Sequence, residues 1–277
     1  MKTFRGKLLL GWMDKKEALA YLCQEAVPPL TEEAAIQLWE CYRKKVAALG
    51  KREYHKPANA PHNLKEKLAA DKIVKASRKN GQHNVKGLIK VDPLDLVVHQ
   101  LRIFEERSEP YRKLVRNPVM LVKTCLPPLP TGRQLPVRTV GSKTIIELPH
   151  GEFQILPGVK KNLEIQEMAH HIAISAFDNR LLLWAGYHRT HAVALASQEN
   201  PEDIERLVPA VLTTDADPFL LDARFSEKRD MVRGACPALF RDFFNADLCM
   251  DIELRKRRCQ IEIDLTQTKL VWVDDDS

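Results

Sequence analysis

The sequence predicts an α+β fold, on three observations. Two capped helical stretches stand near the start. A hairpin, helix and strand follow one another between residues 172 and 212, and alternating apolar and charged residues close the chain. At 277 residues with 44% hydrophobic and 29% charged side chains, the chain suits one large or two modest globular domains. It has no run of 18 apolar residues, which argues against a membrane span. The basic start, residues 2–7, leads into an apolar piece broken by Gly11, Asp14 and Lys15, so it does not read as a signal peptide. The six cysteines lack Cys-x-x-Cys spacing. Free thiols in a reducing cytoplasm are the expectation, not a disulfide frame or zinc ribbon.

Taken in order, Asp14 with Glu17 makes a capping box, and Thr31 caps a second helix with Glu32 and Glu33 in its first turn. Ile36, Trp39, Val46 and Leu49 recur on one face of that helix, which Gly50 ends, so Trp39 is expected in the core. Residues 43–90 hold fourteen basic side chains against three acidic ones, whereas the whole chain carries only +6. Within them Asn63-x-x-Glu66 opens a helix to about residue 81. Its polar face bears Lys65, Lys67, Lys72, Lys75, Arg78 and Lys79, the candidate contact to a nucleic-acid backbone; the alternative is a solvated lysine-rich face.

Asp92-Pro93-Leu94-Asp95 reads as a helix start, continued on one face by Leu94, Val97, Leu101 and Phe104. A short helix is expected from Ser108 to Asn117-Pro118, then a strand over 119–125. Strands over 135–140, 143–148 and 152–156 are expected to join the central sheet. Residues 172–177 and 181–184, split by Asp178-Asn179, read as a hairpin. A helix over 190–196 and a strand over 208–212 follow. Residues 213–218 form an acidic loop, 219–225 and 236–244 look helical, and 250–254, 259–265 and 270–273 read as an antiparallel meander around a basic turn at 255–258.

The chemistry concentrates in Gly186-Tyr187-His188-Arg189-Thr190-His191. A glycine between a strand and a helix lets backbone approach a ligand, and a helix start offers amide donors and partial positive charge to an anion. His188 and Arg189 add side-chain donors there. The alternative is a tight strand–helix corner whose Arg189 pairs with a neighbouring acid. His188 and His191 lack a third metal ligand at fixed spacing, so no metal is assigned to them. Asp215 and Asp217 are read as an ordinary polar loop rather than a Mg²⁺ site. Motifs of the α/β-hydrolase, Rossmann and P-loop kinds are missing.

The hairpin, Gly-Tyr-His-Arg box, alanine-rich helix and Val208-Pro209-Ala210-Val211 strand resemble the core of the ParB/sulfiredoxin superfamily. In that family the box holds nucleotide phosphates: CTP in ParB partition proteins, ATP in sulfiredoxin, ADP or ATP in ParB-like serine kinases. The resemblance therefore implies a nucleoside triphosphate, CTP or ATP, held by Gly186, Tyr187, His188, Arg189 and Thr190; Mg²⁺, a candidate companion, would rest on Asp215 and Asp217, not on the resemblance. It also implies a helix before the hairpin, for which 162–169 is the candidate. Sulfiredoxin's catalytic cysteine is replaced by Tyr187, whose phenol (pKa about 10) cannot act as a thiolate. Ala185 stands where many relatives have Asp, which weakens a kinase or metal-dependent reading.

The expected organisation is a basic helical region at 1–86, a ParB/sulfiredoxin-like mixed-sheet core at 87–216, and C-terminal helices and meander at 217–277. The leading expectation is a cytoplasmic nucleotide-binding protein associated with DNA or RNA, with a homodimer conceivable and no membrane partner. Whether it is an enzyme is left open. The alternatives are a ParB-like phosphotransferase or nuclease using His188, and an interaction module whose box is vestigial.

Overall fold

The computed structural model describes residues 2–79, 85–127, 135, 137–141, 143–148, 153–157, 163–167, 171–213, 228–263 and 268–274. It is a mixed α+β protein. Along the chain run β1 (Thr3–Leu8), α1 (Lys15–Leu19), α2 (Glu32–Ala48), α3 (Leu64–Lys79), β2 (Val85–Val91), β3 (Val97–Val98) and β4 (Arg102–Phe104). Next come α4 (Glu105–Leu114), α5 (Pro118–Cys125), β5 (Val137–Val140), β6 (Lys143–Leu148), β7 (Phe153–Pro157) and β8 (Leu163–Glu167). The remainder is β9 (Ala173–Phe177), β10 (Arg180–Ala185), α6 (Tyr187–Glu199), β11 (Val208–Thr213), β12 (Met250–Arg255), β13 (Arg257–Ile263) and β14 (Thr268–Asp274).

Contacts divide the chain into two units. One comprises Met1–Phe4, Pro128–His170 and Arg255–Ser277; the other comprises Arg5–Pro127 and His171–Leu254. The larger unit is built on a five-stranded sheet of order β2-β11-β9-β10-β3. β9 and β10 form the antiparallel hairpin, turned by Asp178 and Asn179 at φ 50° and 60°, the pair of positive φ values that a type I′ hairpin requires. β11 returns parallel to β9 after α6, β3 lies parallel to β10, and β2 is antiparallel to β11. Both sheet faces are apolar. Ile174, Leu181 and Leu183 belong to the main core, and Phe177, Leu182 and Val97 to a smaller cluster with Val232 and Leu239. A second sheet, β12-β1-β4, sits in the same unit. The smaller unit holds the sheet β14-β13-β6-β5 and the β7–β8 pair.

The helix caps form as the side-chain chemistry dictates. The Asp14 carboxylate accepts the Glu17 N–H at 2.7 Å, and Thr31 Oγ1 accepts that of Ala34 at 3.3 Å. Asn63 and Glu66 cap each other reciprocally, each bond 2.9 Å. Trp39 is in the core contact of α2, its indole N–H donating to the Met13 carbonyl at 3.0 Å. Leu49 follows the last turn of α2 and is exposed, so the buried face runs through Ala35, Leu38, Trp39, Tyr42 and Val46 instead.

Several expected elements differ, each for a physical reason. After Asp92, whose side chain accepts the Leu94 N–H at 3.0 Å, only one 3-10 turn forms. β-Branched Val97, Val98 and Ile103 then enter strands, where β10 and β1 cover them. Residues 118–125 are helix, not strand. Asn117 Oδ1 accepts two amides at 3.0 Å and Pro118 opens the first turn, which outweighs the valines. β5, β6 and β7 exist, but β5 pairs with β6, β6 with β13 and β7 with β8, not with the central sheet. The helix expected over 162–169 is replaced by β8, whose Leu-Glu-Ile-Gln-Glu alternates with period two. Residues 236–239 are not helical: Leu239 is extended, the Ala238 carbonyl accepts from Val98 N–H at 3.0 Å, and only Phe240–Phe244 coil into a 3-10 turn. The terminal meander is split: β13 and β14 pair in the smaller unit, while β12 joins β1, and the basic 255–258 stretch lies largely in strand. The acidic loop, Asp215, Asp217, the helix expected at 219–225 and His170 lie outside the described residues.

Candidate functional site: the Gly186 corner

The corner is set by three neighbours in sequence. β10 ends at Ala185, Gly186 takes φ 91°, and α6 begins at Tyr187. So the box is itself the first turn of the helix, which starts three residues before the expected 190. A Cβ on Gly186 would lie 2.8 Å from Ile172 Cα. Two requirements thus select glycine here, a left-handed backbone and a close approach, and the approaching group is the chain's own Ile172. The Gly186 carbonyl accepts both the Thr190 N–H (2.9 Å) and the Thr190 hydroxyl (3.0 Å), which locks the turn.

The five box residues are contiguous, but their side chains diverge. Tyr187 is buried. Its hydroxyl donates to the Leu183 carbonyl at 2.7 Å and accepts the His99 and Gln100 amides at 3.0 and 3.2 Å, which ties β10 to the segment before β4; burial pushes the phenol pKa up against those two amides. Thr190 is buried with its hydroxyl turned to Gly186. Arg189 is half-buried; its Nη1 donates to the Thr124 carbonyl at 2.9 Å and its guanidinium carbon lies 4.5 Å from the Tyr111 ring centre. His188 stacks on Phe104, ring centres 5.8 Å apart and planes 18° apart. His191 is fully buried, with Nδ1 3.1 Å from Ser108 Oγ and its ring stacked on Phe244.

Phe104 gathers charge that the sequence reading missed. The Arg102 guanidinium lies 5.3 Å and the Arg107 guanidinium 5.5 Å from its ring centre. Arg102 also covers the Tyr21 ring at 5.2 Å and bonds the Tyr21 hydroxyl; burial lowers its pKa. Among the described residues Arg102 makes no ion pair. The available signal was the alternation Arg102-Ile103-Phe104, which puts Arg102 and Phe104 on one strand face; reading 93–104 as helix hid it. Three cationic or titratable side chains on one aromatic ring, at the start of a 13-residue helix, make a setting that favours an anion.

The basic helix is a separate feature. Lys65, Lys67, Lys72 and Lys75 are exposed along α3, together with Leu64 and Leu68. Arg78 and Lys79 lie in the same helix, with side chains outside the described residues. Among the described residues of 43–90, Lys90 and Arg52 are held in internal ion pairs. Lys90 Nζ is 3.1 Å from buried Glu66 and 2.7 Å from Glu205, and Arg52 holds buried Asp242 through two bonds of 2.7 and 3.0 Å. Above the Lys90–Glu66 pair lies a cleft of about 290 Å³ that also touches Asn63, Asn117, Glu202, Asp203 and Glu205. Its predominantly acidic lining repels phosphate. Among the described residues no three His, Cys, Asp or Glu side chains are placed to hold a metal, and no helix is long and apolar enough to cross a membrane.

Comparison of the chain with protein-family models, with curated proteins and with solved structures gives no match.

Proposed function

We propose that this chain is a nucleotide-binding protein of the ParB/sulfiredoxin-like kind, associated with nucleic acid, whose triphosphate sits at the Gly186 corner. The observation that carries the reading is the convergence of His188, Arg102 and Arg107 on Phe104 at the start of α6. First-turn amides of a helix have no acceptor within the helix, and phosphate oxygens are their natural partner. The succession β9–β10–α6–β11 is the order that the resemblance implies. In this reading the first-turn backbone, His188 and the two arginines take the phosphates, while Tyr187 and Thr190 hold the corner's shape. The exposed lysines of α3 meet a nucleic-acid backbone.

A second reading, a structural corner in an interaction module, is favoured by the Gly186–Ile172 approach and by the internal bonds of Tyr187, Arg189 and Thr190. Filter retention of labelled CTP and ATP separates the two. The nucleotide reading requires retention by the wild type and its loss in His188→Ala, with an unchanged melting temperature. No retention of either nucleotide leaves the structural corner. Incubation of nucleotide, Mg²⁺ and plasmid with the protein then distinguishes a binder, which returns every component unchanged, from a phosphotransferase or nuclease.

A further inference from the structure

The geometry points to Arg189 as a latch that a phosphate at the corner must release, an inference that rests on the nucleotide reading. Thr124 is the penultimate residue of α5, so its carbonyl is one of those that end a helix without an intrahelical donor. Arg189 supplies that donor at 2.9 Å, placing a cation at the negative end of the α5 dipole. The same guanidinium lies 4.5 Å over Tyr111 of α4. The next carbonyl, of Cys125, accepts the Ile172 N–H at 2.8 Å, and Ile172 is the residue against which Gly186 is pressed. Arg189 therefore ties the first turn of α6 to both preceding helices through one contiguous set of contacts.

Arg189 is also the third residue of α6, within the same first turn whose amides would take the phosphate. A phosphate and the Thr124–Tyr111 seat compete for one guanidinium. The seat thus taxes affinity by the fraction of molecules in which Arg189 remains in it, and ligand binding uncaps α5. In this way occupancy of the corner is communicated to α4 and α5.

The test is an equilibrium titration with ATP and with CTP of the wild type, Arg189→Ala, Tyr111→Leu and Tyr111→Phe, with melting curves for each. The latch predicts weaker binding in Arg189→Ala, tighter binding by about two- to five-fold in Tyr111→Leu, and wild-type affinity in Tyr111→Phe, whose ring still faces the cation. Hydrogen exchange of the wild type provides a measurement free of substitutions: nucleotide should speed exchange at the end of α5, where the Leu126 N–H bonds the Val122 carbonyl. Equal or weaker binding by a folded Tyr111→Leu, or unchanged or slower exchange at Leu126, overturns the latch while leaving the nucleotide site standing. Absence of wild-type binding to either nucleotide overturns both.

Discussion

Two arginine-centred clusters in the larger unit are built in opposite ways. Arg52 meets Asp242 face to face, both oxygens taken at 2.7 and 3.0 Å, and one of them also accepts the Leu239 N–H at 2.8 Å. The guanidinium additionally covers Trp12 at 5.4 Å. Every strong valence ends on the chain, so the cluster is a lock. Around Phe104, by contrast, Arg102 lies on aromatic faces and makes no ion pair among the described residues. A cation balanced by a ring quadrupole retains demand for a negative charge, whereas one balanced by a carboxylate does not. Burial alone does not distinguish structural from functional charge; the identity of the partner does.

The largest expected effect falls on the lock. Asp242→Ala strands a buried guanidinium and should lower unfolding free energy by about 3–5 kcal/mol in urea titrations; a loss below about 1 kcal/mol would erase the contrast between the clusters. The next tests the packing behind the corner by pH. Burial, with Lys7 and Arg112 adding to it and Asp251 opposing, lowers the His191 pKa to about 4 from an ordinary 6.5. The unfolded chain then binds the proton that the folded chain refuses. The stability contribution is present in full above about pH 6.5 and is lost as pH falls toward 4, by up to about 3 kcal/mol. Stability measured at pH 7 and 4.5 should fall less steeply in His191→Asn than in the wild type. Parallel curves would show that His191 does not govern this window.

Gly186→Ala comes third. Its positive φ and the Ile172 backbone 2.8 Å from the new Cβ should cost about 1–3 kcal/mol by thermal melting. A neutral substitution would mean that the corner relaxes freely and is too soft to preorganise an anion site. The smallest effect on stability belongs to α3. Lys72→Ala with Lys75→Ala should stay within about 0.5 kcal/mol in stability, yet reduce the salt slope of duplex binding by about one per lysine. An unchanged slope would remove α3 from the interface.

What could be read from the sequence was what local chemistry decides. Asp14, Thr31 and Asn63 announce their helices because capping is settled within four residues. Asp178-Asn179 fixes the hairpin, because those two residue types tolerate positive φ. Residues 97–104 and 118–125 were ambiguous. Short apolar runs carry both periods, and the outcome turned on β10 and β1 being present to pair Val97 and Ile103, and on Asn117 reaching two amides. The Arg52–Asp242 lock spans 190 residues, and the cations on Phe104 depend on which strands pair, so neither leaves a local trace. The box residues were found as a string, but their divergence into Tyr187 inward, Arg189 onto α5 and His188 onto Phe104 is a property of packing.

The most direct test of the central claim is a calorimetric titration of ATP and CTP into wild-type and Arg102→Gln protein. The account predicts saturable single-site heat for at least one nucleotide in the wild type, and a loss of about tenfold or more in affinity in a variant that still melts cooperatively. Wild-type heats no larger than dilution, or an Arg102→Gln isotherm that overlays the wild type, would contradict it.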